Sequence, residues 1–301
     1  MLPESSRLLI TGANGHLGQR LIAALARGRG VTAVVRSHAA RRVVENRIDA
    51  ACSTCVELDY RDATMLTQAA QRCDAAVHLV GILKETAANR YVDAHEHATQ
   101  ALVAAARTHR LRRIVYVSIL GSDAASTNPA LASRGRAERL LLDSGIDVLI
   151  LRVPMVLGEG DYAAAALSRR ARSRVALLAR GASLEQPIYA GDVVAAMLAG
   201  VDAAPDVNGV LELAGPESVS RAALVRRAGA VLGNLPRCIS IPLAPLLAAS
   251  WLAQRLMPNP PVTPAMLRVL DHDDNIDPHP AAAKLGIRLT PLDEMLRRCV
   301  R

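Results

Sequence analysis

Gly12, Gly15 and Gly18 stand three residues apart in "LLITGANGHLGQRL", between an apolar run and a helical pattern. Glycine tolerates positive φ and lets backbone N–H groups approach an anion. The following helix N-terminus carries partial positive charge toward the same place. The chemistry this spacing suits is the holding of a dinucleotide pyrophosphate, with Thr11, Asn14, His16 and Leu17 completing the turn. Tight strand-to-helix turns also use glycine without a ligand, but strand, glycines, helix and second strand are here in register. The second strand ends "VTAVVRSHAARR", with Arg36 where an acidic residue would accept the ribose 2′-OH and with Arg41 and Arg42 close behind. A guanidinium pairs bidentately with a 2′-phosphate, so NADP(H) is expected in preference to NAD(H), which stays open. Asp59, ending "CVELD" before Tyr60 and Arg61, falls where a third strand meets the adenine. Its other reading is a cap on the helix that follows.

The elements that position these residues alternate. Strand-length apolar runs ("RLLITG", "VTAVVR", "CVELD", "AAVHLVG", "RIVYVSI", "DVLILRVP") are separated by helical patterns near 17–27, 39–46, 63–71, 94–109 and 135–144. Continuous Val/Ile/Leu runs between helices imply parallel strands covered on both faces, an α/β doubly wound sheet. In "QPIYAGDVVAAMLAG" Asp192 is placed to cap a helix, and Ser220 is placed to cap another. The alternation stops near Gly215. This predicts a nucleotide-binding domain over 1–215, with 157–185 contributing to a substrate lobe, and a small C-terminal substrate or partner lobe over 216–301. "PLAPLLAASWLAQRLMP" is apolar but interrupted by Pro and too short for a membrane span. It reads as a lobe helix, and contact with a membrane surface or partner is its second reading.

Composition narrows the function classes. The chain has 301 residues, 51% of them apolar, enough for a full core. Aromatic residues make up 2% and Phe is absent, so the core must be Ala, Leu, Val and Ile, and base stacking on nucleic acid is disfavoured. The net charge of +8 is spread as Arg along the chain, and the only lysines are Lys84 and Lys284. Cys52, Cys55, Cys73, Cys238 and Cys299 lack framework spacing. The lone C-x-x-C has no second Cys/His pair at zinc-site distance, so free thiols and no metal site are expected. "MLPESSR" shows no secretory signal, which together with the thiols predicts a cytoplasmic protein, peripheral to the membrane in the second reading.

With "TGANGHLG", "ELDYRD", "HLVGIL", "HEHATQALVAAAR", "RIVYVSILGS", "SRGRAERLLLDSGIDVLILRVPMVLGEGD", "QPIYAGDVV" and "LELAGPESVS", the chain resembles the extended and atypical short-chain dehydrogenases/reductases over nearly its whole length. It is most similar to the branch holding the accessory NADPH-binding subunit of respiratory complex I and its bacterial relatives. The resemblance implies a Rossmann fold in which Val80 and Gly81 approach the cofactor and Pro154 and Val156 wall the nicotinamide. Active members use Ser, Tyr and Lys, the Tyr passing a proton to the substrate oxygen while the Lys lowers its pKa. Ser118 matches the serine. The register of "SRGRAERLL" puts Ala130 at the Tyr position and Arg134 at the Lys position, and no Y-x-x-x-K occurs anywhere, since Val80 and Pro280 precede the two lysines by four. Arg134 retains a ribose contact as its expected role, but Arg is not equivalent to Lys in fixed geometry.

Lys84 and Tyr91, after the fourth strand, are candidate substitutes for the missing donor, against the reading of a solvated loop. His95 and His97 are expected to pack or cap a helix. Asp271, His272, Asp273 and Asp274 are expected to serve a helix terminus, because adjacent residues cannot converge on one ion. Two functions stand level: an NADP(H)-dependent oxidoreductase or isomerase acting on a small carbonyl or quinone-like substrate, and a non-catalytic NADP(H)-binding protein with a structural, assembly or redox-sensing role through a protein partner. Nucleotide-sensing transcriptional regulation ranks third.

Overall fold

The computed structural model describes residues 6–25, 29–86, 88–203, 207–257 and 259–301. They form two compact units. The first is Met1–Arg152 with Val193–Leu211 and Lys284–Ile287, and the second is Val153–Asp192 with Glu212–Ala283 and Arg288–Arg301.

In chain order the elements begin β1 (Leu8–Thr11), α1 (His16–Ala24), β2 (Val31–Val35), α2 (His38–Glu45), β3 (Thr54–Glu57), α3 (Ala63–Ala70) and β4 (Ala75–His78). A π-helical turn, Val92–His97, leads into α4 (Ala98–His109), followed by β5 (Arg113–Ile119), α5 (Pro129–Leu142) and β6 (Asp147–Val153). Then come β7 (Val156–Leu157), α6 (Tyr162–Arg172), β8 (Val175–Ala179), β9 (Leu184–Glu185), β10 (Ile188–Tyr189), α7 (Ala190–Asp202) and β11 (Gly209–Glu212). The chain ends with β12 (Val219–Ser220), α8 (Arg221–Val231), β13 (Arg237–Ile241), α9 (Leu243–Leu256), α10 (Pro264–Val269), α11 (His279–Leu285) and α12 (Leu292–Cys299). The expected end of the first helix at Arg27 lies outside the described residues.

The first unit is an α/β fold around a seven-stranded parallel sheet in the order β11-β6-β5-β4-β1-β2-β3. Leu8 sits opposite Val31 on one side of β1 and opposite Ala75 on the other. Strands β1, β2 and β4 are buried along their whole length, as the apolar runs require of a sheet covered on both faces. Their core is aliphatic: Leu9, Val34, Leu66, Leu102, Ile114 and Ile150, with Tyr116 the largest fully buried side chain in it.

Helix α5 begins earlier than its apolar pattern suggests. Asn128 caps it by accepting from the Ala130 N–H, and Pro129 occupies the first turn, where its missing N–H costs nothing. Ala130 and Arg134 therefore lie on the first turns of a helix, both buried.

In the second unit β8 and β13 pair in parallel beside a core of Leu167, Leu224, Met295 and Leu296. Ser220 caps α8 by accepting from the Ala223 N–H. Asp192 lies in the first turn of α7 but bonds the Thr290 N–H and hydroxyl instead of its own helix. The acidic run after α10 also differs from its expected helix-terminal role. Asp271 pairs with Arg180, Asp273 accepts from the Leu184 N–H, and His272 pairs with Asp274, fastening this run to the 180–184 turn. Among the described residues no helix is long and apolar enough to cross a membrane.

Candidate functional site

The strand order reverses at β1, with β2 on one side and β4 on the other, and in such sheets ligands collect beyond the C-terminal ends of the strands at that point. A groove of about 670 Å³ lies there. Gly12, Asn14 and Gly15 line it from the first turn, Arg36 and Ser37 from the end of β2, and Asp59, Tyr60 and Arg61 from the end of β3. Val80 and Gly81 line it after β4, and Thr86, Asn89 and Asp93 close it from the loop and π-turn beyond.

The glycines have separable tasks. Gly12 has φ +73°, and a Cβ there would lie 3.0 Å from the Leu79 carbonyl, so only glycine lets the turn pass β4 this closely. At Gly18 a Cβ would stand 2.6 Å from the Ala13 oxygen, so this glycine sets how closely α1 lies on the turn. Gly15 is the N-cap of α1 in ordinary extended geometry (φ −67°), and a Cβ there would meet only the Gly12 oxygen, at 3.3 Å. No side chain caps α1 and no acid stands in its first turn. Its leading N–H groups and the positive helix end are left for an anion at the groove, a cradle that fits a pyrophosphate. His16 and Leu17 continue this first turn.

Thr11 lies behind the groove, buried, and its hydroxyl meets His78 Nδ1 at 2.6 Å. The other ring nitrogen of His78 meets the Thr99 hydroxyl at 3.3 Å. Burial, with Arg134 adding to it, pushes the His78 pKa down to about 3, so the imidazole is a neutral crosslink between β1, β4 and α4.

At the end of the groove formed by β2 and β3, Arg36 donates to the Asn89 side-chain oxygen at 2.9 Å. Asp59 grips Arg61 through both carboxylate oxygens, and this hydrogen bonding holds its carboxyl below the usual range. The helix cap that Asp59 was alternatively expected to provide comes from Asp62, which accepts from the Met65 N–H. The Tyr60 hydroxyl donates to the Val34 carbonyl, and burial raises its pKa to about 12.

Beyond Gly81 lies a second, buried set. The Arg134 guanidinium packs against Gly81, where a Cβ would stand 2.5 Å from it, and donates to the Tyr116 hydroxyl at 3.5 Å. Ser118 lies two residues along β5, on the same face of the strand as Tyr116, and its hydroxyl meets the Ser122 hydroxyl at 3.2 Å. Burial raises the Tyr116 pKa while Arg134 and Ser118 oppose it. Ala130 offers only a methyl group at its helix position. The arrangement thus holds a serine, a tyrosine and a cation, with the tyrosine supplied by β5.

His95 is fully buried, accepts the Ile82 N–H at 3.2 Å, and stacks on Tyr91. Burial first, then Arg134, pushes its pKa down to about 3. The Tyr91 hydroxyl donates to the Leu83 carbonyl and its N–H to Glu85, so Tyr91 holds the loop that also carries Lys84. His97 pairs with Asp93 at 3.0 Å. Pro154 and Val156 belong to the second unit, where Val156 pairs with Ile188 in β7 and β10. Among the described residues no group of three or more His, Cys, Asp or Glu side chains is placed to hold a metal ion. Cys55 is a free thiol whose pKa burial pushes up to about 11.

Asn89, Tyr116 and His78 escape a reading of the sequence. Asn89 sits in a loop without periodicity, and the other two read as strand core. The hydroxyl of Tyr116 and the lone polar position in "AAVHLVG" are the signals that a buried partner was needed.

A sequence family described as NAD(P)H-binding matches residues 12–174. The chain is 26% identical over 239 residues to the NADH dehydrogenase [ubiquinone] 1 alpha subcomplex subunit 9, mitochondrial, of Arabidopsis thaliana, a match spanning 77% of this chain and 60% of that protein. It is 27% identical over 250 residues to a ceramide reductase of Caulobacter vibrioides, spanning 81% and 76%. The UDP-glucose 4-epimerase of Bifidobacterium longum, solved with NAD+ and UDP, shares the fold with a TM-score of 0.74 at 16% identity, covering 98% of this chain and 97% of that one. The chain belongs to the NAD(P)H-binding family, a Rossmann-fold family of the short-chain dehydrogenase/reductase type.

Proposed function

We propose that this chain binds NADP(H) along the β1–β4 groove and that holding the cofactor, without the usual carbonyl reduction, is its function, exercised through a protein partner. The observation that carries this reading is the pair Ala130 and Arg134 on α5: the position of the proton donor holds a methyl group, and the adjacent cation is tied to Tyr116 and Gly81. Preference for the 2′-phosphate rests on Arg36 and Ser37 lining the groove at the end of β2, where an acid would favour the free ribose. The Arabidopsis relative, named as a subunit of a larger assembly, supports a structural or redox-sensing role. The test is calorimetric titration with NADPH and NADH, followed by NADPH oxidation with carbonyl and quinone substrates. Tight NADPH binding with no turnover is the expected result, and rapid turnover overturns it.

A second reading is favoured by one observation, the hydrogen bond from Arg134 to the Tyr116 hydroxyl, with Ser118 on the same face of β5. Bound NADPH supplies a hydride to a carbonyl carbon. In this reading Ser118 protonates the forming alkoxide and recovers a proton from Tyr116, whose phenolate Arg134 stabilises. The Caulobacter relative, named a reductase of a lipid, supports turnover on an apolar carbonyl compound.

A further inference from the structure

Helix α9 is a solvent-exposed helix made almost entirely of apolar residues. Of its residues, Leu243–Leu256, only Ser250 is buried, and the helix packs on α10. Trp251 is 51% exposed, Leu252 52% and Leu256 74%, and Met257 extends the same run. Ala248, Leu252 and Leu256 are spaced by four and share one face, beside Trp251. The strand that precedes α9 in the chain, β13, and its partner β8 also expose apolar residues. Leu177 on β8 and Ile239 on β13 are register partners and both are exposed, Leu177 by 60%. Isolated exposed apolar residues are ordinary, but an apolar run along an exposed helix marks a surface that something covers.

The charge of the segment that carries this face selects the occupant. No Asp or Glu occurs between Ser218 and Leu270, whereas Arg221, Arg226, Arg227, Arg237, Arg255 and Arg268 do. Arg221 and Arg227 are paired with acids elsewhere in the unit, while Arg237, Arg255 and Arg268 are exposed on β13, α9 and α10. Arg255 lies over the face of the Trp251 ring, 3.8 Å from its centroid, and a tryptophan paired with a cation suits a boundary between hydrocarbon and headgroups. A second copy of the chain would meet this face with the same arginines across a twofold axis, so like charges oppose self-association. We propose that α9, with the exposed face of β8 and β13, lies on an anionic lipid surface: Trp251, Leu252 and Leu256 enter the headgroup boundary, and Arg237, Arg255 and Arg268 meet lipid phosphates. The attachment is peripheral and is independent of whether the cofactor groove turns over substrate.

Trp251 is the only tryptophan in the chain, so its fluorescence reports this helix alone. The full chain is titrated with vesicles of mixed phosphatidylglycerol and phosphatidylcholine, with and without brominated acyl chains, and with phosphatidylcholine vesicles. The expected result is a blue shift and bromine quenching with the anionic vesicles, fading as salt is added. Leu252→Glu with Leu256→Glu, both on exposed positions, lowers vesicle partitioning by about tenfold or more, and Arg237→Gln with Arg268→Gln flattens the salt dependence. Unchanged NADPH affinity and melting temperature in both variants show that the fold is intact. Absence of quenching with any vesicle overturns the proposal. So does a concentration-dependent dimer that the Glu variants dissociate while vesicles leave Trp251 unaffected, since the face would then belong to a second copy. Equal binding to neutral vesicles overturns the role given to the arginines.

Discussion

Arg36 and Asn89 meet across the groove: the guanidinium from the end of β2 donates to the side-chain oxygen of a residue in the loop after β4, at 2.9 Å. The residue expected to read the 2′-phosphate is therefore engaged by a neutral acceptor. A phosphate is the stronger acceptor for a guanidinium, and it either recruits Arg36 from Asn89 or shares it. Arg36→Ala is expected to weaken NADPH binding by about 1.5 to 3 kcal/mol, the scale of a hydrogen bond to a charged group, and to leave NADH nearly unchanged. Asn89→Ala releases the arginine and is expected to tighten NADPH by less than about 1 kcal/mol. Calorimetry with both dinucleotides checks this, and equal losses for the two in Arg36→Ala would remove Arg36 from 2′-phosphate recognition.

Gly15 and Gly18 are expected to separate binding from folding. A Cβ at Gly18 meets the Ala13 oxygen at 2.6 Å, so Gly18→Ala pushes α1 off the turn and lowers the melting temperature. Gly15 already has the backbone of an N-cap, and its Cβ direction meets only the Gly12 oxygen at 3.3 Å. Gly15→Asp supplies a capping side chain to α1, changing stability by only a few tenths of a kcal/mol. It also sets a negative charge where the pyrophosphate would lie. Thermal melts beside NADPH titrations are expected to show a stable, non-binding Gly15→Asp protein. Retained affinity in that variant would place the pyrophosphate elsewhere.

Much of the sheet was legible because its strands are covered on both faces, which writes continuous apolar runs such as "VTAVV". The glycine turn was legible because backbone geometry leaves few residue choices at Gly12 and Gly18. The start of α5 was obscured: "PALASRGRAERL" lacks an apolar stripe, as buried Ser133, Arg134 and Glu138 share that helix with buried alanines. What announces the helix is its cap, Asn128 and Pro129. Asn89 and Tyr116 were hidden for another reason, since their partners Arg36 and Arg134 are distant in the chain and only the closing of the sheet brings them together.

The buried histidines predict an acid-sensitive fold. His78 and His95 have folded pKa values near 3 against 6.5 when unfolded, both lowered by burial first. The unfolded chain therefore binds more protons between pH 6.5 and 3, and stability rises with pH across that window. Stability is fully present above pH 6.5 and is lost on acidification, by about 1.4 kcal/mol per histidine per pH unit once well below that value. Denaturant midpoints at several pH values check the slope. His95→Gln keeps an acceptor for the Ile82 N–H and is expected to reduce the slope by one proton, whereas a slope unchanged from wild type would mean that His95 is not the titrating group.

Turnover is the last expectation, and Tyr116 decides its form. With Ala130 at the helix position of the proton donor, reduction of simple carbonyl compounds by NADPH is expected to lack the roughly 10²- to 10⁴-fold that general acid catalysis contributes. Ala130→Tyr with Arg134→Lys places a donor on α5 and a Lys one helical turn away, and is expected to raise the NADPH oxidation rate provided the melting temperature holds. Ser118→Ala and Tyr116→Phe separate the remaining routes. The phenylalanine ring fills the same core volume beside His78 and removes only the hydroxyl to which Arg134 donates. If neither substitution changes a slow basal rate while NADPH affinity persists, the buried Ser118, Tyr116 and Arg134 set is structural and the chain works by holding its cofactor. If the unmodified chain turns over rapidly and Tyr116→Phe lowers kcat while leaving NADPH affinity intact, the proton passes along β5, and the tyrosine missing from α5 has been replaced from the sheet.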